Sequence, residues 1–262
     1  MKKLRILLLS LVITMFLAIP VAAEESFYYT DVTGHWGELN IYYITNKGLL
    51  NGYPDRTFRP DNAITRGELV TILSKDAGAD TSAYANANSF SDISRHWAKN
   101  AINWAAANGI VNGYENGTFR PDTAISRQDL ATMLDRYLKN KGLPLKYPED
   151  PFNDQAKIGS WATSAVTTMQ RYGLIQGREN HYFYPTASST RAETATIIAR
   201  YLRILNGESG NSSLADIYVN NSLKKSGVIV SRETGNTMVG LRDFFEAIGY
   251  EVAYYGNTSL VA

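Results

Sequence analysis

The chain has 262 residues, 44% of them hydrophobic, with 26 Lys and Arg against 25 Asp and Glu, and no cysteine. This composition supports a buried core and excludes wholesale disorder, a disulfide scaffold and thiol chemistry. A formal charge of +1 supplies no global field, so nucleic acid is not an expected partner and any anionic ligand must be held by local cations.

Residues 1–23 have the layout of a secretory signal peptide. Met1-Lys2-Lys3-Leu4-Arg5 is basic, Ile6 to Ile19 is almost wholly apolar, and Val21-Ala22-Ala23 offers small residues before Glu24. An uncleaved anchor is the alternative, but the apolar run is short for a span and no basic stop follows it. Cleavage after Ala23 removes Lys2, Lys3 and Arg5 and leaves 23 basic residues against 25 acidic. The expected address is therefore outside the cell, with no membrane contact after cleavage.

Three segments then align without gaps. Trp36, Trp97 and Trp161 each stand 16 residues before a glycine (Gly52, Gly113, Gly177). Each glycine stands eight before a proline (Pro60, Pro121, Pro185), and each proline six before an arginine (Arg66, Arg127, Arg191). Internal repetition at a fixed spacing signals a repeat architecture. The units are placed at 27–78, 88–142 and 150–206.

Each unit reads as helix, loop, helix. In the second, Trp97, Ala101, Trp104 and Ala105 share a face at helical spacing, and Asn108-Gly109 supplies a left-handed C-cap. Asn112-Gly113-Tyr114 and Glu115-Asn116-Gly117 are successive turn signals. A second helix starts at Ser126 and carries Leu130, Met133, Leu134 and Tyr137 on one face. Thr65 with Glu68, and Thr190 with Glu193, fit a capping box, in which a hydroxyl accepts the third helical amide and a carboxylate reaches back. Asp129, paired with Ser126, is shorter and is expected to close the box less well.

The arginine inside each box opposes the helix dipole, at a cost of about 0.3–1 kcal/mol. Two readings stand for Arg66, Arg127 and Arg191: a clamp for a carboxylate or phosphate, or a partner for an acid of a neighbouring repeat. The clamp is the preferred one.

The units resemble S-layer homology domains. The first carries Asp31-Val32, His35-Trp36, Gly48-Leu49-Leu50-Asn51-Gly52-Tyr53, Phe58-Arg59-Pro60-Asp61 and Thr65-Arg66-Gly67-Glu68. The second carries Asp92-Ile93, His96-Trp97, Gly109 to Tyr114, Phe119-Arg120-Pro121-Asp122 and Ser126-Arg127-Gln128-Asp129. The third carries Asp154, Trp161, Gly173 to Gly177, Phe183-Tyr184-Pro185 and Thr190-Arg191-Ala192-Glu193. The resemblance covers about residues 27–205.

It implies a mainly α fold, with three helix–loop–helix repeats in a pseudo-threefold arrangement and ligand grooves between neighbours. The implied partner is a secondary cell-wall polymer, often a polysaccharide capped by a pyruvylated amino sugar. Arg66, Arg127 and Arg191 would contact the acidic sugar. Trp36, Trp97 and Trp161 would shape the grooves, and Gly52, Gly113 and Gly177 would let backbone approach the ligand. Asp31, Asp92 and Asp154 would meet sugar hydroxyls or, on an equal reading, cap helices. The third unit departs from the pattern, with Ser160 for His, Arg178 for Tyr, Tyr184 for Arg and Thr186 for Asp, so the first two units are expected to make the better sites.

Residues 207–214 are a polar linker. Residues 215–262 alternate strand-like runs with a helical stretch and resemble the small domain named for the N-terminus of copper amine oxidases. This adds a small α+β segment, with no histidine cluster to hold copper. No cofactor, metal or enzymatic activity is expected: the acids are accounted for by caps and turns, and no Gly-x-Ser-x-Gly elbow occurs. The loops lack the alternating acidic ligands of a calcium site. The function implied is non-covalent anchoring of a secreted protein to the bacterial cell wall. The alternative is a wall-glycan-processing enzyme, or an accessory protein, targeted by the repeats.

Overall fold

The computed structural model describes residues 29–206 and the backbone of three strands beyond them. The signal segment, residues 207–211 of the expected linker and the helical stretch expected near residue 240 lie outside the described residues, while 212–214, expected in the linker, belong to the first strand. Among the described residues six α-helices fall two to a repeat: α1 (Glu38–Asn46) and α2 (Arg66–Asp76), α3 (Lys99–Ala107) and α4 (Arg127–Leu138), and α5 (Thr163–Arg171) and α6 (Arg191–Leu205). Strands β1 (Ser212–Val219), β2 (Ser222–Ser231) and β3 (Val252–Tyr255) form an antiparallel sheet in the order β2-β1-β3.

Helices this short are marginal alone and depend on packing. Each repeat buries an aromatic pair between its helices: Tyr29 on Phe58, Phe90 on Phe119 and Phe152 on Phe183, with ring centroids 5.3, 5.4 and 5.3 Å apart. The conserved spacing of the loop glycines follows from this pair. A Cβ on Gly113 would stand 2.3 Å from the Phe90 ring, and its φ of +67° already favours glycine. At Gly52 the obstacle is the Tyr29 ring at 2.2 Å, and at Gly177 the Phe152 ring at 3.2 Å.

The repeats close into a ring. The second helix of each packs on the first helix of the next: α2 on α3, α4 on α5, and α6 back on α1. At the centre, three backbone hydrogen bonds run head to tail. Ile125 donates to Ile64, Ser189 to Ile125, and Ile64 to Ser189, at 2.9, 3.0 and 3.0 Å. All three residues are fully buried. Ser189 and Thr194 stand in the third repeat where the others have Ile and Leu. Their hydroxyls lie 3.3 Å apart, which satisfies a polar pair that burial would otherwise penalise.

At the other end of the axis, equivalent positions on α2, α4 and α6 carry Asp76, Tyr137 and Tyr201. Both tyrosine hydroxyls donate to the same Asp76 oxygen, and Lys141 Nζ stands 3.7 Å from it. Asp76 ends α2, where the helix dipole disfavours an acid. The phenols and the ammonium offset that cost.

Two outcomes are expected. Gly113→Ala should lower stability by about 2–4 kcal/mol, because it combines a strained φ with overpacking against Phe90; an unchanged urea midpoint would refute this. Burial first, then the hydrogen bond and charge of Asp76, push the Tyr137 and Tyr201 phenols well above their usual value. Their folded pKa exceeds the unfolded one, so their contribution to stability is complete below about pH 10 and is lost as pH rises beyond it. Ultraviolet phenolate titration should show two late-ionising tyrosines. Asp76→Ala should return both toward the ordinary range.

Candidate functional site

The loop between the helices of each repeat is set by one aspartate. Both carboxylate oxygens of Asp31 accept backbone N–H groups, from Phe58 at 2.8 Å and Arg59 at 2.7 Å. Asp92 does the same for Phe119 and Arg120, and Asp154 for Phe183 and Tyr184. These acids thus build the loop rather than cap a helix. They hold Arg59, Arg120 and Tyr184 at φ values of 57°, 57° and 55°, a region that such residues rarely visit.

The loop so formed receives the arginine of the preceding repeat. Arg66 Nε donates to Phe119 O at 2.8 Å, Arg127 Nε to Phe183 O at 2.6 Å, and Arg191 Nε to Phe58 O at 2.8 Å. The three guanidinium groups also face the rings of Phe119, Phe183 and Phe58. All three arginines are buried, at 4%, 5% and 2% exposure.

The capping carboxylates meet these arginines from the far side. Thr65–Glu68 and Thr190–Glu193 form complete capping boxes, and each glutamate still has an oxygen for the neighbouring repeat. Glu68 pairs with Arg191 at 2.6 Å, and Glu193 with Arg127 at 3.1 Å. Ser126 accepts the Asp129 amide, but Asp129 does not reach back to the Ser126 amide as a complete box requires. Its Oδ2 lies 2.5 Å from Ser126 Oγ and its Oδ1 stands 3.8 Å from Arg66.

The structure brings two of the motif arginines and two of the tryptophans together in clefts between repeats, while Arg191 and Trp97 line neither of these two clefts. One cleft, of about 690 Å³, is lined by Arg66 from the first repeat, by Asn112, Gly113, Tyr114, Arg120, Asp129 and Arg136 from the second, and by Trp161 from the third. A second, of about 140 Å³, joins Trp36, Arg127, Gly177, Arg178, Glu193 and Arg200. Trp36, Trp97 and Trp161 are 61%, 64% and 56% exposed. Large aromatic faces left open beside a cleft suit a flat apolar ligand face. Gly113 and Gly177 turn toward an aromatic ring on one side and line a cleft with their backbone on the other.

The third repeat's departures prove to be paired. In the first two repeats Arg59 lies 3.9 Å over Tyr53, and Arg120 4.0 Å over Tyr114. In the third the two types change places, as Arg178 and Tyr184. Arg178 then bonds Glu193 through Nε and Nη2, at 2.8 and 2.9 Å. Burial raises the Glu193 pKa, but the Arg178 bonds, the Thr190 amide and the Arg127 charge outweigh it and hold the carboxyl below its usual range. His35 and His96 accept a backbone N–H at Nδ1, from Gly37 and Ala98, and face Asp61 and Asp122 through Nε2. Ser160 and Thr186 replace both members of that pair. The amide that the ring would accept, Ala162 N–H, donates to Gly159 O at 2.8 Å instead, and Gln128 of the second repeat accepts the Gly159 N–H at 3.0 Å.

Sequence reasoning did not single out Arg136 as a cleft residue. It shares its repeat position with Lys75 and Arg200, and all three donate to a carbonyl near the end of the first helix. A basic residue nine positions after each motif arginine was the available signal. Among the described residues there is no cluster of acids and histidines able to hold a metal, and no helix long and apolar enough to cross a membrane.

Comparison with known proteins gives one family. The S-layer homology domain profile matches residues 28–70, 89–131 and 151–195, half of the chain. The chain is 36% identical over 158 residues to a cellulosome-anchoring protein of Acetivibrio thermocellus, covering 59% of this chain and 35% of that protein. It is 28% identical over 221 residues to S-layer protein EA1 of Bacillus anthracis, covering 84% and 24%. An endoglucanase of a Bacillus species is 30% identical over 207 residues, covering 75% and 22%. The chain thus spans about a third or less of these relatives' length. The matches agree with a place at the cell wall or cell surface, and the chain belongs to the S-layer homology domain family.

Proposed function

We propose that the repeats anchor a secreted protein to the bacterial cell wall without a covalent bond, by holding an anionic, pyruvylated secondary cell-wall polysaccharide in the clefts between repeats. The observation that carries this reading is the pairing, in one cleft, of a buried guanidinium with an open tryptophan face. A charged sugar presents those two surfaces: a carboxylate for the arginine and a ring face for the indole. In this reading Arg66, Arg127 and Arg191 supply the positive charge and Trp36, Trp97 and Trp161 the ring faces, as Arg66 with Trp161 and Arg127 with Trp36 do in the two clefts. Gly52, Gly113 and Gly177 keep the loop backbone free of a Cβ. The names of two relatives, an anchoring protein and an S-layer protein, support the same reading.

The role is non-catalytic. The acids of the motif hold helix caps and arginines, which leaves none of them placed as a general acid opposite a second carboxylate. The segment from residue 215 is taken as a separate small domain of the copper amine oxidase N-terminal type, and its antiparallel strands support that reading.

The mature protein should co-sediment with intact wall sacculi, and binding should vanish once acid strips the wall polymer. It should also weaken as salt screens the ligand's charge. Retained binding to bare peptidoglycan, or turnover of wall fragments by the purified chain, would overturn the proposal.

A further inference from the structure

The sequence carries five Asn-Gly pairs. In such a pair the glycine nitrogen can attack the asparagine side-chain carbonyl, because no Cβ on the glycine hinders the approach. The attack needs an uncommitted amide and an uncommitted side chain. Four of the pairs lie within the described residues, and the fold treats them differently.

Three are held. In Asn51-Gly52 the Gly52 N–H donates to the Tyr29 hydroxyl at 2.8 Å. In Asn108-Gly109 the Gly109 N–H donates to Ala106 O at 3.0 Å, and Asn108 Nδ2 to Trp104 O at 2.8 Å. In Asn116-Gly117 the Gly117 N–H donates to Tyr114 O at 2.9 Å, while Asn116 Oδ1 accepts the Thr118 hydroxyl at 2.7 Å. Asn112-Gly113 is the exception. Phe90 stands where the first repeat has Tyr29, so the hydroxyl that engages Gly52 has no counterpart. Among the described residues neither the Gly113 N–H nor the Asn112 side chain makes a hydrogen bond, and Asn112 is exposed.

We propose that Asn112 is a site of spontaneous deamidation, and that its conversion cancels the excess positive charge of the cleft it lines. Gly113 N gives its proton to water and bonds to Asn112 Cγ. The Cγ–Nδ2 bond breaks, and the departing nitrogen takes a proton and leaves as ammonia. Water then opens the five-membered imide at either carbonyl, giving aspartate or isoaspartate. The sum is one water consumed, one ammonia released and one new carboxylate, with no change of oxidation state. The charged groups around the 690 Å³ cleft are Arg66, Arg120 and Arg136 against Asp129 and Glu115, and a third acid at position 112 makes them even. The conversion stands on geometry alone. Its effect on binding rests on the reading of an anionic wall polymer.

Peptide mapping of the mature chain, aged in warm, mildly alkaline buffer, tests the site by reading aspartate and isoaspartate at each asparagine. In the folded chain Asn112 should convert at least about fivefold faster than Asn51, the rate equivalent of one hydrogen bond, and in the urea-unfolded chain the two should convert alike. Phe90→Tyr, which supplies the missing hydroxyl, should slow Asn112 by a similar factor. Tyr29→Phe should bring Asn51 up to the rate of Asn112, which keeps the test intact if the first variant does not fold. Equal folded-state rates at Asn51 and Asn112, or no response to either variant, would overturn the assignment. Aged wild-type chain should bind sacculi about fivefold more weakly than fresh chain, while aged Phe90→Tyr keeps its fresh affinity. Undiminished binding after conversion would overturn the charge effect and leave the site. Fresh chain that did not bind sacculi would instead count against the anchoring reading.

Discussion

One arginine per repeat, reaching from the start of a helix to a carbonyl in the next repeat's loop, is the contact on which the arrangement depends. It orders the loop, buries a charge that only a neighbour can satisfy, and brings the capping acid of the second repeat to the motif arginine of the first. Because Arg191 reaches Phe58 across 133 residues, the series closes on itself. An open solenoid sums nearest-neighbour contacts and needs special end caps. Here α6 on α1 removes both ends, and the three-bond backbone ring at Ile64, Ile125 and Ser189 marks where the closure is tightest.

Clefts are a by-product of that closure. A guanidinium entering a neighbour's loop leaves a seam beside it, and the exposed tryptophan of a third repeat borders the seam, as Trp161 does beside Arg66. The same residues therefore hold the repeats together and line the clefts, and how closely each clasp shuts is set by how far its capping acid reaches. Glutamate gives a closed clasp and aspartate an open one.

The repeat, its helices and both complete capping boxes were legible in the sequence, because fixed spacing and local side-chain chemistry need no knowledge of the fold. The weak box at Ser126–Asp129 was legible for the same reason. The destinations of Arg66, Arg127 and Arg191 were not. Their first partners are main-chain carbonyls, which carry no sequence signature, and the alternative of an acid in a neighbouring repeat could be framed but not placed. The loop clamp made by the aspartates was hidden on similar grounds: Asp31, Asp92 and Asp154 bind backbone N–H groups 27 to 30 residues away, which a linear reading does not place beside them. The third repeat's departures looked like four separate losses. In three dimensions they are an exchange of Tyr and Arg, and a His–Asp pair removed together.

Ring closure also sets an order in time. The face of α1 that meets α6 stays uncovered until the last repeat has been made, so the first repeat cannot complete its packing as it emerges. Contacts spanning more than a hundred residues carry a loop-closure entropy that is repaid only when the whole circle forms. The three repeats therefore behave as one cooperative folding unit despite their modular sequence. A chain crossing a membrane in extended form would arrive on the far side with the clefts between its repeats unformed, and would gain them all at once.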